Sequence, residues 1–94
     1  MRAWHLITYD IRDDARLRRV AKLMEGHGER LQYSVFRCRL SATELERLRW
    51  ELTRTVAAED AILILPLCER CAGKAGGLHV KHRWDQDRPS FTVV

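Results

Sequence analysis

The chain opens on a mostly apolar run, Trp4-His5-Leu6-Ile7-Thr8-Tyr9, that stops at the carboxylate of Asp10. Its aromatic and β-branched content predicts a strand over residues 3 to 9, inside a sheet and covered on at least one face. Asp13 or Asp14 stands where a helix cap is needed. In the helix that follows, Leu17, Val20, Ala21 and Met24 fall at i, i+3, i+4 and i+7, giving one apolar stripe. Arg18, Arg19 and Lys22 project from the opposite side, and Arg16 lies at the border. Gly26 and Gly28 are expected to supply the left-handed residues that end the helix, with His27 as part of the turn.

From Glu29 to Leu40 the chain alternates, with Leu31, Tyr33, Val35 and Arg37 on one face and Gln32, Ser34, Phe36 and Cys38 on the other. Alternation alone permits one long strand here. Ser41-Ala42-Thr43-Glu44 has the spacing of a capping box, and the helix it starts carries Leu45, Leu48, Leu52 and Val56 as its buried stripe. Residues 61 to 67 are almost wholly apolar, which predicts a central strand, with Pro66 at its end or at an edge position. Beyond them, Ala72 to Gly77 is flexible by composition, Asp85 to Pro89 reads as a polar turn, and Phe91-Thr92-Val93-Val94 is β-prone.

At 94 residues the chain holds one domain with a modest core. Seventeen Lys and Arg against thirteen Asp and Glu leave a formal charge of +4, which favours polyanionic partners, although solubility explains it equally well. Three cysteines are an odd number, so a closed disulfide framework is not expected and a reducing compartment is. The apolar run after Arg2 is broken by His5 and stopped by Asp10, too short for a secretory signal or a membrane span. A cytoplasmic protein without a membrane partner is the expectation. Cys68 and Cys71 with His79 and His82 form a zinc-ligand inventory, but the His-x-x-His spacing is too short for a zinc finger. The seven residues from Ala72 to Leu78 also fall short of the usual dozen or so, so free thiols at a strand exit are expected instead. His5 reads as a structural histidine, and Trp50, off the leucine stripe, as a mark of a partner surface.

Tyr9-Asp10, the Arg-rich helix, the segment Arg30-Leu31-Gln32-Tyr33-Ser34-Val35-Phe36 with its Gln-x-Ser-Val-Phe, and the apolar strand up to Leu67 occur in this order. Over roughly these first 67 residues the chain resembles the CRISPR-associated Cas-two family. Those are small homodimers that act as metal-dependent nucleases in some members and bridge integrase subunits during spacer acquisition. The resemblance implies a tight bend near Ser34, which makes two strands of the Glu29 to Leu40 stretch. The order is then βαββαβ: an α+β, ferredoxin-like sandwich with helices on one sheet face. The expected organisation is a single domain, 1–94, with its core in 1–67, a variable connection in 68–89, and an additional strand in 90–94. That strand would pair with the partner subunit in a two-fold dimer, whose stacked sheets cover the face the helices leave open.

The resemblance also implies the site. Asp10 would be catalytic and metal-binding, Tyr9 would join it at the dimer seam, and Arg16, Arg18, Arg19, Lys22 and Arg30 would contact nucleic-acid phosphates. Ser34 and Phe36 would line the cleft. One carboxylate is a poor site by itself, but in a two-fold dimer Asp10 and its symmetry mate can share one Mg²⁺ or Mn²⁺ that keeps several waters. The plainer alternative is that Asp10 only ends the strand or caps the next turn. Three functions stay open: an endonuclease cutting single-stranded RNA or double-stranded DNA, a structural DNA-binding scaffold that spaces integrase subunits, and a toxin-type mRNA endoribonuclease of similar fold. The first two are compatible, since one basic surface serves both.

Overall fold

Hydrophobic periodicity divides the chain into the elements seen in the computed structural model, which describes residues 1–74. The expected tail strand, His79, His82 and Trp84 lie outside the described residues. The elements are β1 (Arg2–Asp10), α1 (Asp14–Glu25), β2 (Glu29–Gln32), β3 (Val35–Ser41), α2 (Ala42–Thr55), β4 (Ala61–Leu67) and α3 (Glu69–Lys74). The strands form one sheet in the order β2-β3-β1-β4, with every neighbouring pair antiparallel. This is the ferredoxin-like arrangement, two βα units whose strands interleave.

Local chemistry fixes each helix start. Asp13 accepts a hydrogen bond from the Arg16 amide at 2.9 Å and so caps α1. At α2 the capping box closes as expected, with the Glu44 amide donating to Ser41 Oγ at 3.1 Å and the Ser41 amide donating to Glu44 Oε1 at 2.8 Å. The end of α1 departs from expectation. Gly26 sits at φ −80°, ψ −10°, a right-handed residue, and the turn is closed by the Gly28 amide donating to the Met24 carbonyl at 2.9 Å. Gly28 is required for a different reason. A Cβ there would collide with the Arg37 carbonyl oxygen and stand 2.5 Å from Cys38 Sγ, so β3 can pass the end of α1 only if this residue has no side chain.

The two long helices cover one face of the sheet. Ile7, Tyr9, Phe36, Cys38 and Leu40 from the strands meet Val20, Met24, Leu48 and Leu52 from the helices in the main core. Phe36 is wholly enclosed, which contributes about 2–3 kcal/mol by area. The opposite face carries a second, smaller cluster in which Trp4 and Leu31 meet Ala72 of α3. This short helix is absent from the reading of residues 68 to 89 as a plain connection, because the glycines at 73, 76 and 77 mask one helical turn. Also on this face is Arg37, 1% exposed, with its guanidinium 5.6 Å from the Trp4 ring centroid and 3.6 Å from Glu29.

The placing of β4 is a correction to the expectation of a central strand. Among the described residues it pairs with β1 alone and forms an edge of the sheet. Its apolar run reads as central because both faces are apolar, but only Ile62 and Ile64 turn toward the helices, while Leu63 and Leu65 remain 54% and 40% exposed. The open face is therefore hydrophobic and unfilled beyond the reach of α3.

Two carboxylates tie distant segments together, and both are acid-sensitive. Asp60 accepts from Arg16 Nε at 2.8 Å and from the Ala57 amide at 2.9 Å, and the Arg16 hydrogen bond draws its pKa down to about 2. Glu44, paired bidentately with Arg2 and bonded by Ser41, is likewise lowered to about 2. Folded values below the unfolded ones mean that this stabilisation is complete above about pH 4.5 and drains away as pH falls toward 2. Thermal unfolding followed from pH 6 to pH 2 should show a melting temperature that drops through this window. In Asp60→Asn the drop should be shallower, and an unchanged pH slope would remove Asp60 from the account.

Candidate functional site

Along β1 the side chains alternate, so Tyr9 enters the helix-side core while Asp10 ends the strand on the other side, in line with Leu6 and Thr8. The Tyr33-Ser34 turn between β2 and β3 is drawn to this point by the Tyr9 amide, which donates to the Ser34 carbonyl at 3.2 Å. One backbone hydrogen bond thus places Ser34 beside Asp10.

A cleft of about 390 Å³ opens there, lined by Tyr9, Asp10, Arg18, Arg30, Tyr33 and Ser34 over a floor of Ile11, Leu17 and Ala21. Asp10 also borders a second, shallow depression of about 380 Å³ on the open sheet face, with Thr8, Ala61 and Leu63. The carboxylate therefore stands on the rim between a basic cleft and an apolar surface. Asp13 has taken the cap of α1, and no hydrogen bond or ion pair engages the Asp10 carboxylate among the described residues.

Of the residues singled out in the sequence, Tyr9, Asp10, Arg18, Arg30 and Ser34 come together here. Phe36 lies beneath the cleft rather than in its wall: its ring is buried, 6.1 Å from that of Tyr9, and Arg30 lies over it at 5.2 Å. Arg16 faces away, held by Asp60 and at 3.1 Å by Glu59, so its charge is spent on the loop before β4. Arg19 and Lys22 are exposed on α1 outside the cleft lining. Tyr33 was missed, since alternation placed it with Leu31 in a strand. In the structure it sits at the turn, 86% exposed, and the Tyr-Ser pair opposite a strand end was the available signal. Trp50 is exposed and stacked by Arg54 at 4.5 Å, on the outer side of α2.

The electrostatics favour an anion. Arg30 pairs with Glu25 at 3.4 Å through Nη2 but its buried Nε has no hydrogen-bond partner, and Arg18 is exposed beside it on the cleft wall. Burial raises the Tyr9 phenol above its usual pKa while Arg30 pulls the other way, so the hydroxyl keeps its proton at neutral pH. Among the described residues no three His, Cys, Asp or Glu side chains gather as a metal site. One carboxylate per chain still fits Mg²⁺, which needs only one or two such ligands and retains water on the others.

Fold and site together define a ferredoxin-like α+β protein with an acid at the tip of its first strand and a basic cleft beside an open sheet face. Residues 1–75 match the family model described as CRISPR associated protein Cas2. The chain is 44% identical over 73 residues to CRISPR-associated endoribonuclease Cas2 1 of Archaeoglobus fulgidus, covering 76% of this chain and 78% of that protein. It is 36% identical to CRISPR-associated endonuclease Cas2 of Halalkalibacterium halodurans, over 89% of this chain and 94% of the other. The crystal structure of Streptococcus pyogenes Cas2 at pH 6.5 superposes with a TM-score of 0.73 at 31% identity, over 80% of this chain and 98% of that one. The chain belongs to the Cas2 family. No helix among the described residues is long and apolar enough to cross a membrane.

Proposed function

We propose that this chain works in the cytoplasm as a homodimer that binds nucleic acid and bridges integrase subunits during CRISPR spacer acquisition. In the same reading it carries a weak endonuclease activity, dependent on Mg²⁺ or Mn²⁺, toward single-stranded RNA or double-stranded DNA. The observation that carries this reading is Asp10 on the rim between the Arg18 and Arg30 cleft and the exposed Leu63 and Leu65 face. Stacking a second sheet on that face would bury the leucines and bring two Asp10 side chains toward one axis, where each chain's single carboxylate becomes one of a pair. The paired carboxylates would hold the cation, which would supply Lewis-acid activation of a phosphodiester and of water. Arg18 and Arg30 would orient the phosphate, and Tyr9 would keep the wall of the cleft rigid.

The names of the Archaeoglobus and Halalkalibacterium relatives support nuclease chemistry. The scaffold part of the reading rests on the surroundings of Asp10: among the described residues no second carboxylate and no histidine lines the cleft, which suits positioning better than fast turnover. Incubating the protein with labelled single-stranded RNA and duplex DNA, with Mg²⁺ and with a chelator, tests the reading. Slow cleavage lost on chelation supports it. Cleavage indifferent to chelator, or a stable monomer in sedimentation at micromolar concentration, would refute the shared site.

Binding should be salt-dependent and nearly blind to sequence, because phosphate neutralisation releases counterions whatever the bases are. Reversing the charge of Arg18 and Arg19 together should weaken duplex binding by roughly tenfold or more at low salt and flatten the plot of log affinity against log salt by about two phosphates' worth. A slope equal to that of the wild type would place the nucleic acid on another surface.

A further inference from the structure

Three cysteines divide sharply in this molecule. Cys38 is sealed in the main core, and burial pushes its thiol up to about 12, so it is chemically inert. Cys68 and Cys71 are both exposed, and they flank a single turn where β4 gives way to α3. The Cys71 amide donates to Cys68 Sγ at 3.3 Å, which folds the first sulfur back over the second residue, and the Ala72 amide donates to the Cys68 carbonyl at 2.9 Å, which closes the turn. Side chains three apart on such a turn lie on the same side. Both are free thiols at the exit from β4, as the sequence leads one to expect, and nothing in the cleft at Asp10 uses either of them.

We propose that Cys68 and Cys71 are a vicinal dithiol that exchanges with low-molecular-weight disulfides and closes into an intrachain disulfide, making the β4–α3 junction a redox modification site. The two sulfurs have unequal roles. Hydrogen bonding from Cys71 favours the thiolate of Cys68, whereas that neighbour raises Cys71, so Cys68 is the attacking group and Cys71 the resolving one. In the first step Cys68 thiolate attacks one sulfur of a disulfide RSSR, forming Cys68–S–SR and releasing RS⁻, which takes a proton from solvent. Cys71 then gives up its proton to solvent, and its thiolate attacks Cys68 Sγ and expels the second RS⁻. That second RS⁻ also takes a proton from solvent, so the protein loses two protons and two electrons and RSSR becomes two RSH. The closed ring fixes the turn directly before Ala72, the residue that anchors α3 against Trp4 and Leu31 on the open face.

The test uses the full chain, fully reduced, then incubated with excess glutathione disulfide, quenched in acid and alkylated under denaturing conditions before intact-mass and peptide analysis. The expected result is a fall in alkylated thiols from three to one, with Cys68 and Cys71 in one cross-linked peptide and no covalent dimer. Cys71→Ser should stop at a mixed glutathione disulfide on Cys68. Cys68→Ser should stop at the corresponding adduct on Cys71, formed more slowly because that thiol lacks the amide hydrogen bond that favours the Cys68 thiolate. Cys38→Ser should behave as the wild type. Three thiols still open to alkylation, a disulfide between chains, or a requirement for Cys38 would each overturn the proposal.

Discussion

Replacing Asp10 with asparagine is expected to leave the fold and the proposed dimer intact and to lower the proposed metal-dependent cleavage by at least about a hundredfold, more than loss of an outer-shell partner costs. Asparagine keeps the size and the hydrogen-bonding reach of the side chain but removes its charge. Because the site would be shared across a two-fold axis, one substitution removes both anionic ligands at once, which is why the effect should be so large. The exposed carboxylate has no partner among the described residues, so its neutralisation should not disturb stability by more than a few tenths of a kcal/mol. Nuclease assays with Mg²⁺ and Mn²⁺, run beside thermal melts and duplex-binding titrations, check this directly. Cleavage that survives in Asp10→Asn would assign the activity elsewhere, whereas loss of binding along with cleavage would show that Asp10 shapes the surface and not the chemistry.

The second large effect concerns stability. Gly28→Ala should destabilise the protein by about 3 kcal/mol, the upper end of ordinary overpacking, because the obstructing atom is a backbone carbonyl that cannot rotate away. For a domain of this size that corresponds to a fall in melting temperature of very roughly 12–24 °C. Gly26→Ala, two residues earlier, is the natural control. Its added Cβ would meet only the Leu23 carbonyl at an ordinary 3.5 Å, and its backbone is already right-handed, so it should be neutral or slightly stabilising. Equal melting temperatures for the two variants would mean that β3 can retreat from α1.

Much of this architecture is legible in the sequence because it rests on short-range chemistry. The Asp13 cap, the Ser41 and Glu44 capping box and the leucine stripe of α2 all lie within a few residues of the elements they define. The division of Glu29 to Leu40 into a hairpin needed the family resemblance, since a register irregularity between Arg30 and Gln32 lets an unbroken alternation hide the turn. Sheet position was harder still. An apolar run reads as a central strand whether its second face is covered by its own chain or left open, so β4 was misplaced. At the site, Asp10 was conspicuous as the end of an apolar run, but the diversion of Arg16 to Asp60 joins residues 44 apart and leaves no local trace. The same holds for Tyr33, whose neighbours in the cleft come from β1, α1 and β2.

The edge position of β4 has a consequence for how this protein survives in a crowded cell. Among the described residues, Ala61 to Leu67 is a seven-residue, uncharged, β-prone ribbon paired on one side only, with leucines on its outer face and Pro66 as an interruption. Strands of this kind are templates for runaway pairing between molecules, and proteins ordinarily blunt them with lysines or bulges. Among the described residues no lysine guards this strand and Pro66 is its single interruption, so the exposed leucines leave an unassembled chain prone to pairing with its neighbours. In the proposed dimer, solubility and correct assembly are thus linked, and a variant that fails to assemble should be recovered largely as insoluble material rather than as a well-behaved single subunit.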